Sequence, residues 1–156
     1  MSIDFTIVEK RVFNNKIEDF QAALDFDLNK LAEKSSVIET FKEVKENVYA
    51  IKTEEENVVG KKLFLKTTLT YKVNKKKGLL NIYSINEEDD NLSLDLKIRA
   101  IPENSDKTIL AVKLEASVDF GFSKIINKTI KVFVDKKIKK FLDVTLDTLE
   151  LNDMKE

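Results

Sequence analysis

The chain contains no cysteine and no histidine. Without cysteine there are no disulfides, no thiolate nucleophile and no Cys-based metal site. Without histidine the usual general base near neutral pH is missing, and with it the Ser-His-Asp arrangement and the commonest zinc ligand. Proline occurs once and glycine three times in 156 residues, so breakers of regular structure are scarce. No apolar run approaches the roughly 18–20 residues of a membrane-spanning helix. The first residues, MSIDFTIVEKRVF, alternate and carry acids early, unlike a signal peptide. Charge of one sign is also lacking: lysine and arginine number 27 against 28 acids, for a net charge of −1. That balance argues against a dedicated nucleic-acid binder, which needs a basic excess to displace counterions. A cytoplasmic protein is the default expectation.

What is present suits one ordinary domain, 1–156. Hydrophobic residues make up 42% of the chain, enough for a core, and charged residues 35%. Lysine dominates arginine among abundant Ile and Glu. A thermophilic source and an AT-rich genome explain this bias equally well.

Ile3, Phe5 and Ile7 alternate with polar residues, as in a half-buried strand. Asn15 followed by Glu18 resembles a capping box, with Ile17, Phe20, Ala23 and Leu24 at helical spacing behind it. Asp27 can cap a second short helix through Leu28, Leu31 and Ala32. From Val37 to Phe120 the period is two. VIETFKEV, VYAIKTE, LFLKTTLTYKV, LLNIYSI, LSLDLKIRA and ILAVKLEASVDF read as strands. The polar clusters KEN, EEEN, NKKKG, EEDDN and PENSDK read as turns between them. This is a meander of antiparallel hairpins. Gly121 ends the last strand and Ser123 can cap a long helix. Its stripe comprises Ile126, Ile130, Phe133, Ile138, Phe141, Leu142, Thr145 and Leu149, with lysines on much of the opposite side.

The order is therefore β-α-α-β6-α, an α+β chain in which a one-faced sheet and a one-striped helix can bury each other. That order, with a last helix opened by FGFSKIINKTI, resembles the START/Bet v 1-like (SRPBCC) superfamily, including small archaeal members. The resemblance implies the helix-grip fold: a seven-stranded curved antiparallel sheet wrapped around a long C-terminal helix, with two short helices after the first strand. It further implies a cavity between sheet and helix for a fatty acid or similar lipid. Plant members carry a glycine-rich loop after the early strands. Here only Gly60, in VVGKK, lies near that place, so a phosphate loop is not expected.

Plain core packing explains the apolar stripes without any ligand. If a cavity exists, its expected lining is Leu65, Leu69, Tyr71, Leu94, Leu96, Val112, Leu114, Ile130, Phe133 and Val134. Thr67 and Tyr71 interrupt the apolar face and need hydrogen-bond partners, from the backbone or from a ligand. Lys137 lies at the edge of the helix stripe, where it can snorkel to water or meet an anionic headgroup. The clusters EEEN and EEDD offer oxygens to a hard cation but lack the spacing of a calcium loop, so neither metal nor cofactor is expected. Only Tyr, Lys, Asp and Glu remain as proton carriers, and the expectation is a binding protein, not an enzyme. The alternatives are a ligand-free interaction or chaperone-like module, and a cyclase- or hydrolase-type enzyme. The helix lysines read first as a solvated face and second as a transient membrane contact. Monomer and homodimer both remain open.

Overall fold

The computed structural model describes residues 2–14, 16–24, 38–85, 87–121 and 128–154. The expected caps Asn15 and Ser123 and the second short helix at 27–32 lie outside these residues. The element order is β1 (Ser2–Phe13), α1 (Ile17–Ala23), β2 (Ile38–Lys45), β3 (Val48–Thr53), β4 (Glu56–Val58) and β5 (Lys61–Leu63). Then come β6 (Lys66–Asn74), β7 (Leu79–Ser84), β8 (Leu92–Pro102), β9 (Thr108–Asp119) and α2 (Lys128–Met154). Seven strands form one curved antiparallel sheet in the order β1-β9-β8-β7-β6-β3-β2. β4 and β5 form a separate two-stranded ribbon.

Alternation assigns the faces of the sheet. In β9, Leu110, Val112, Leu114, Ala116 and Val118 are buried, while Lys113, Glu115 and Asp119 face water. The register Leu96↔Leu114 and Ile98↔Val112 carries the same face into β8, and Ile82↔Leu96 carries it into β7. Helix α2, about 40 Å long at 1.5 Å per residue, presses Ile130, Phe133, Val134, Ile138, Leu142, Leu146 and Leu149 into this core. Toward its C-terminal end Val144, Thr145 and Thr148 are buried as well, and α1 packs against the same helix. Thr145 and Thr148 donate their hydroxyls to the carbonyls of Phe141 and Val144, so neither is buried without a partner. Phe20 of α1 meets Phe13 of β1 edge to face, ring centroids 5.8 Å apart.

β1 is an edge strand, and a charged cluster ties it to the helix. Arg11 pairs with Asp143 of α2 and with Glu9, 3.0 Å away. Burial acts to lower the Arg11 pKa, but hydrogen bonds and charges from Asp143 and Glu9 outweigh it and raise the value.

The sequence pattern predicts one strand from Leu63 to Val73 and a turn at EEEN. The structure differs there. Glu56 to Val58 pairs with Lys61 to Leu63 across a two-residue turn, Val59-Gly60, both at positive φ (51° and 76°). The chain then leaves the ladder at Phe64–Leu65 before entering β6. Side chains satisfy the backbone groups freed by this break. Asn91 donates Nδ2 to the Phe64 carbonyl and accepts the Lys66 N–H at Oδ1, each at 2.8 Å. Thr53 Oγ1 accepts the Leu65 N–H at 2.8 Å. Period-two reading is blind to such a break, because the apolar alternation continues through it.

Asn91 thus holds the junction of ribbon and sheet from a turn between β7 and β8. Asn91→Ala removes both bonds and leaves two backbone groups to find water. It should lower unfolding stability by about 1–3 kcal/mol, read as a lower urea midpoint at unchanged slope. A shift below about 0.5 kcal/mol would mean that the break holds itself.

Candidate functional site

One end of the sheet–helix interface is not closed. Ile51 and Thr53 of β3, Leu65, Thr67 and Leu69 around β6, and Leu92 and Leu94 of β8 face Lys137, Ile138 and Phe141 of α2. Between them lies an almost wholly apolar cavity of about 40 Å³. That is room for a few water molecules, each needing about 10–15 Å³ on this measure, so at this width the cleft does not take an acyl chain.

Its hydroxyls are already engaged. Thr67 Oγ1 and Ser84 Oγ share a hydrogen bond of 2.7 Å, and Ser84 Oγ accepts the Leu94 N–H at 2.8 Å. Thr53 Oγ1 accepts from Leu65 N–H and donates to the Glu54 carbonyl at 3.4 Å. A hydroxyl has one proton and two lone pairs, so Thr67, with one bond to Ser84, keeps capacity for two further partners.

Lys137 is the charged group on this lining. Its side chain is only 16% exposed. The ammonium lies 3.4 Å from Glu56 Oε1 on β4 and 5.7 Å from the centre of the Phe133 ring. The same lysine also borders a second, open space of about 520 Å³ between the β4–β5 ribbon and α2. Phe133, Val132, Lys136 and Lys140 form the helix side of that groove, and Glu56 to Val59 the ribbon side. Lys137 therefore stands between an apolar cleft inside and a cation-lined groove outside, as the alkyl stem and charged head of a snorkelling lysine allow.

Of the residues singled out from sequence, Leu65, Thr67, Leu69, Leu94 and Lys137 meet at the cavity. Phe133 borders the groove. Leu96, Val112, Leu114, Ile130 and Val134 are buried in the continuous core. Tyr71 is partly buried, and its hydroxyl reaches Asn47 Oδ1 in the β2–β3 turn at 3.5 Å. Sequence reasoning left out Ile51, Thr53, Leu92, Ile138, Phe141 and the ribbon residue Glu56. The signal for the first five was present, since each lies on an apolar face by period. Glu56 had none, because its position depends on the break at Phe64–Leu65.

Among the described residues no helix is long and apolar enough to cross a membrane, and no group of three or more acids could hold a metal ion.

No family model matches the chain, and no curated protein does. Solved structures do. Norcoclaurine synthase from Thalictrum flavum, in complex with dopamine and hydroxybenzaldehyde, is 10% identical with a TM-score of 0.65, over 99% of this chain and 89% of that one. The Zhui aromatase/cyclase from Streptomyces sp. R1128 is 8% identical with a TM-score of 0.62, over 97% and 94%. A START superfamily protein from Mycobacterium smegmatis is 12% identical with a TM-score of 0.55, over 96% and 97%. At these identities the likeness is one of fold. From strand order, long gripping helix and end-to-end superposition, the chain has the helix-grip fold of the Bet v 1/START superfamily.

Proposed function

We propose that this protein binds an amphipathic small molecule with an anionic end, a fatty acid or similar lipid, and performs no chemistry on it. The observation that carries this reading is Lys137, a mostly buried cation between an apolar cleft and a basic groove. A groove of about 520 Å³ falls within the roughly 300–1,000 Å³ usual for small-molecule sites. The ligand's charged end would replace Glu56 as the partner of Lys137, with Lys136 and Lys140 beside it. Its apolar end would enter between β6, β8 and α2 as the cleft widens. Widening exposes apolar wall to the ligand rather than to water, at roughly 25 cal/mol per Å². The fold likeness adds support, since the norcoclaurine synthase structure holds small aromatic molecules. That protein and the aromatase/cyclase are enzymes. Here the cavity lining carries one titratable group, Lys137, and hydroxyls already bonded to protein, which favours binding over acid–base catalysis.

Val59 supports the same place. It is a β-branched residue at φ 51°, 58% exposed, at the rim of the groove. Such a backbone costs about 1–3 kcal/mol and is found where surroundings or function require it.

Titration with a fluorescent fatty acid, with native mass spectrometry of the purified protein, tests the reading. Lys137→Gln should weaken binding about tenfold or more, the loss of one charge-assisted hydrogen bond. The same probe with an amine in place of its carboxylate should bind poorly to the natural protein. If the natural protein ignores the probe and flies without a bound small molecule, the reading is wrong.

Val59→Asn should separate fold from function. Asparagine tolerates the left-handed region, so stability should rise by about 1 kcal/mol while affinity for the probe falls. A gain in stability with unchanged affinity would remove Val59 from the site.

A further inference from the structure

The outer face of the sheet carries a charge pattern that the chain order hides. Register places outward-facing side chains in rows across the strands. One row is Val12, Ile109 and Ile101. The next runs Lys10, Ala111, Arg99 and Leu79. The third runs Val8, Lys113, Lys97, Asn81 and Lys72. No acid occurs in any of the three. The first acids, Glu115 and Asp95, stand in the fourth row. Strands about 4.8 Å apart and rows about 6.8 Å apart make this a field roughly 20 Å wide.

Aliphatic side chains stand among these cations. Val8 is 72% exposed, Val12 51% and Ile101 43%. Around Ala111 the surface dips into an apolar-floored depression of about 450 Å³, rimmed by Lys10, Lys97, Arg99 and Lys113. Lys113 and Lys97 lie 3.0 and 3.6 Å from Glu115 and Asp95, but these pairs are exposed and readily exchanged for another anion. Helix α2 offers a more diluted field, because Asp135, Asp143 and Asp147 intersperse its lysines.

We infer that this face, rather than the lysine side of α2, docks the protein on an anionic lipid bilayer. Three features choose the bilayer over other anions. Exposed aliphatic residues interleaved with cations suit the boundary of headgroups and acyl chains. A single-stranded nucleic acid would be met by aromatic stacking platforms, and these rows contain no aromatic residue. A protein partner would be met by a surface poor in lysine, and this one is rich in it. The inference stands independently of what the groove binds.

Co-sedimentation of the full chain with vesicles tests it, using phosphatidylcholine alone and a mixture with about one third phosphatidylglycerol. Binding is expected to the mixed vesicles only, and to fade with added salt. Each cation removed should cost about fivefold in partitioning, so Lys10→Gln with Arg99→Gln should lose about twentyfold or more. Val8→Asp should weaken binding comparably, with circular dichroism unchanged for all variants. Lys131→Gln with Lys139→Gln on α2 should bind like the natural protein. Any of four results overturns the inference: no binding to mixed vesicles, equal binding to both, loss confined to the α2 variant, or an anionic oligonucleotide bound more tightly than the vesicles.

Discussion

Helix α2 brings a stripe of Ile130, Phe133, Val134, Ile138, Leu142, Leu146 and Leu149 that water would penalise, and the concave side of the sheet takes it. Each such side chain contributes about 1.5–3 kcal/mol on full burial. The exposed ion pairs of the surface, such as Lys139–Asp135 and Lys113–Glu115, contribute about 0–1 kcal/mol each. Apolar burial therefore decides the fold, and the charges decorate it. Strand register, the position of α1 and the direction of β1 are all consistent with keeping one face of the sheet against one helix.

That same packing constrains function. A helix gripped along its whole length leaves no space for a ligand, and the cleft at Lys137 is nearly closed. The grip is uneven, however. Beyond Phe141 the helix is buried on several sides, with Val144, Thr145, Leu146, Thr148 and Leu149 all enclosed. Before it, Lys128, Thr129, Lys131 and Val132 are exposed, and the apolar contact is one stripe wide. Displacing the first half of α2 uncovers less apolar area than displacing the second. The ribbon, two short strands turned at Val59-Gly60, sits against this weaker half. The part of the interface that holds Lys137 is thus the part where displacing the helix uncovers least apolar area, which is how the proposed ligand fits with a small resting cavity.

How far the sequence could be read follows from the range of each interaction. Alternation in LSLDLKIRA and ILAVKLEASVDF names the buried face of β8 and β9, because burial there depends on nothing but period. The helix stripe is legible for the same reason. Seven strands and a long last helix leave few ways to pack, so the architecture was legible too. The ribbon was not. Phe64 and Leu65 keep the apolar rhythm while leaving the ladder, and what stabilises the departure is Asn91, far away in sequence. The candidate site was half legible: Leu65, Thr67, Leu69, Leu94 and Lys137 share a face by period. The remainder required knowing where along the interface the packing relaxes, and volume has no signature in residue order.

The charges teach the complementary lesson. A net charge of −1 argues against a dedicated nucleic-acid binder but leaves room for a local basic patch, and the last helix carries a lysine run, KKIKK, at Lys136 to Lys140. On the folded chain the KKIKK helix is diluted by its own aspartates. The stronger field is built from Lys10, Lys72, Lys97, Arg99 and Lys113, spread over four strands and joined only by pairing register. Each of these residues alternates with buried or half-buried neighbours and looks, locally, like the ordinary outward position of an amphipathic strand. An antiparallel meander converts matching positions on successive strands into adjacent side chains about 5 Å apart. Charge that is scattered along the chain therefore becomes concentrated on the sheet, while acids collected two positions further along form a separate row. A near-zero total is therefore compatible with a strong local field, which falls off over roughly 10 Å in salt.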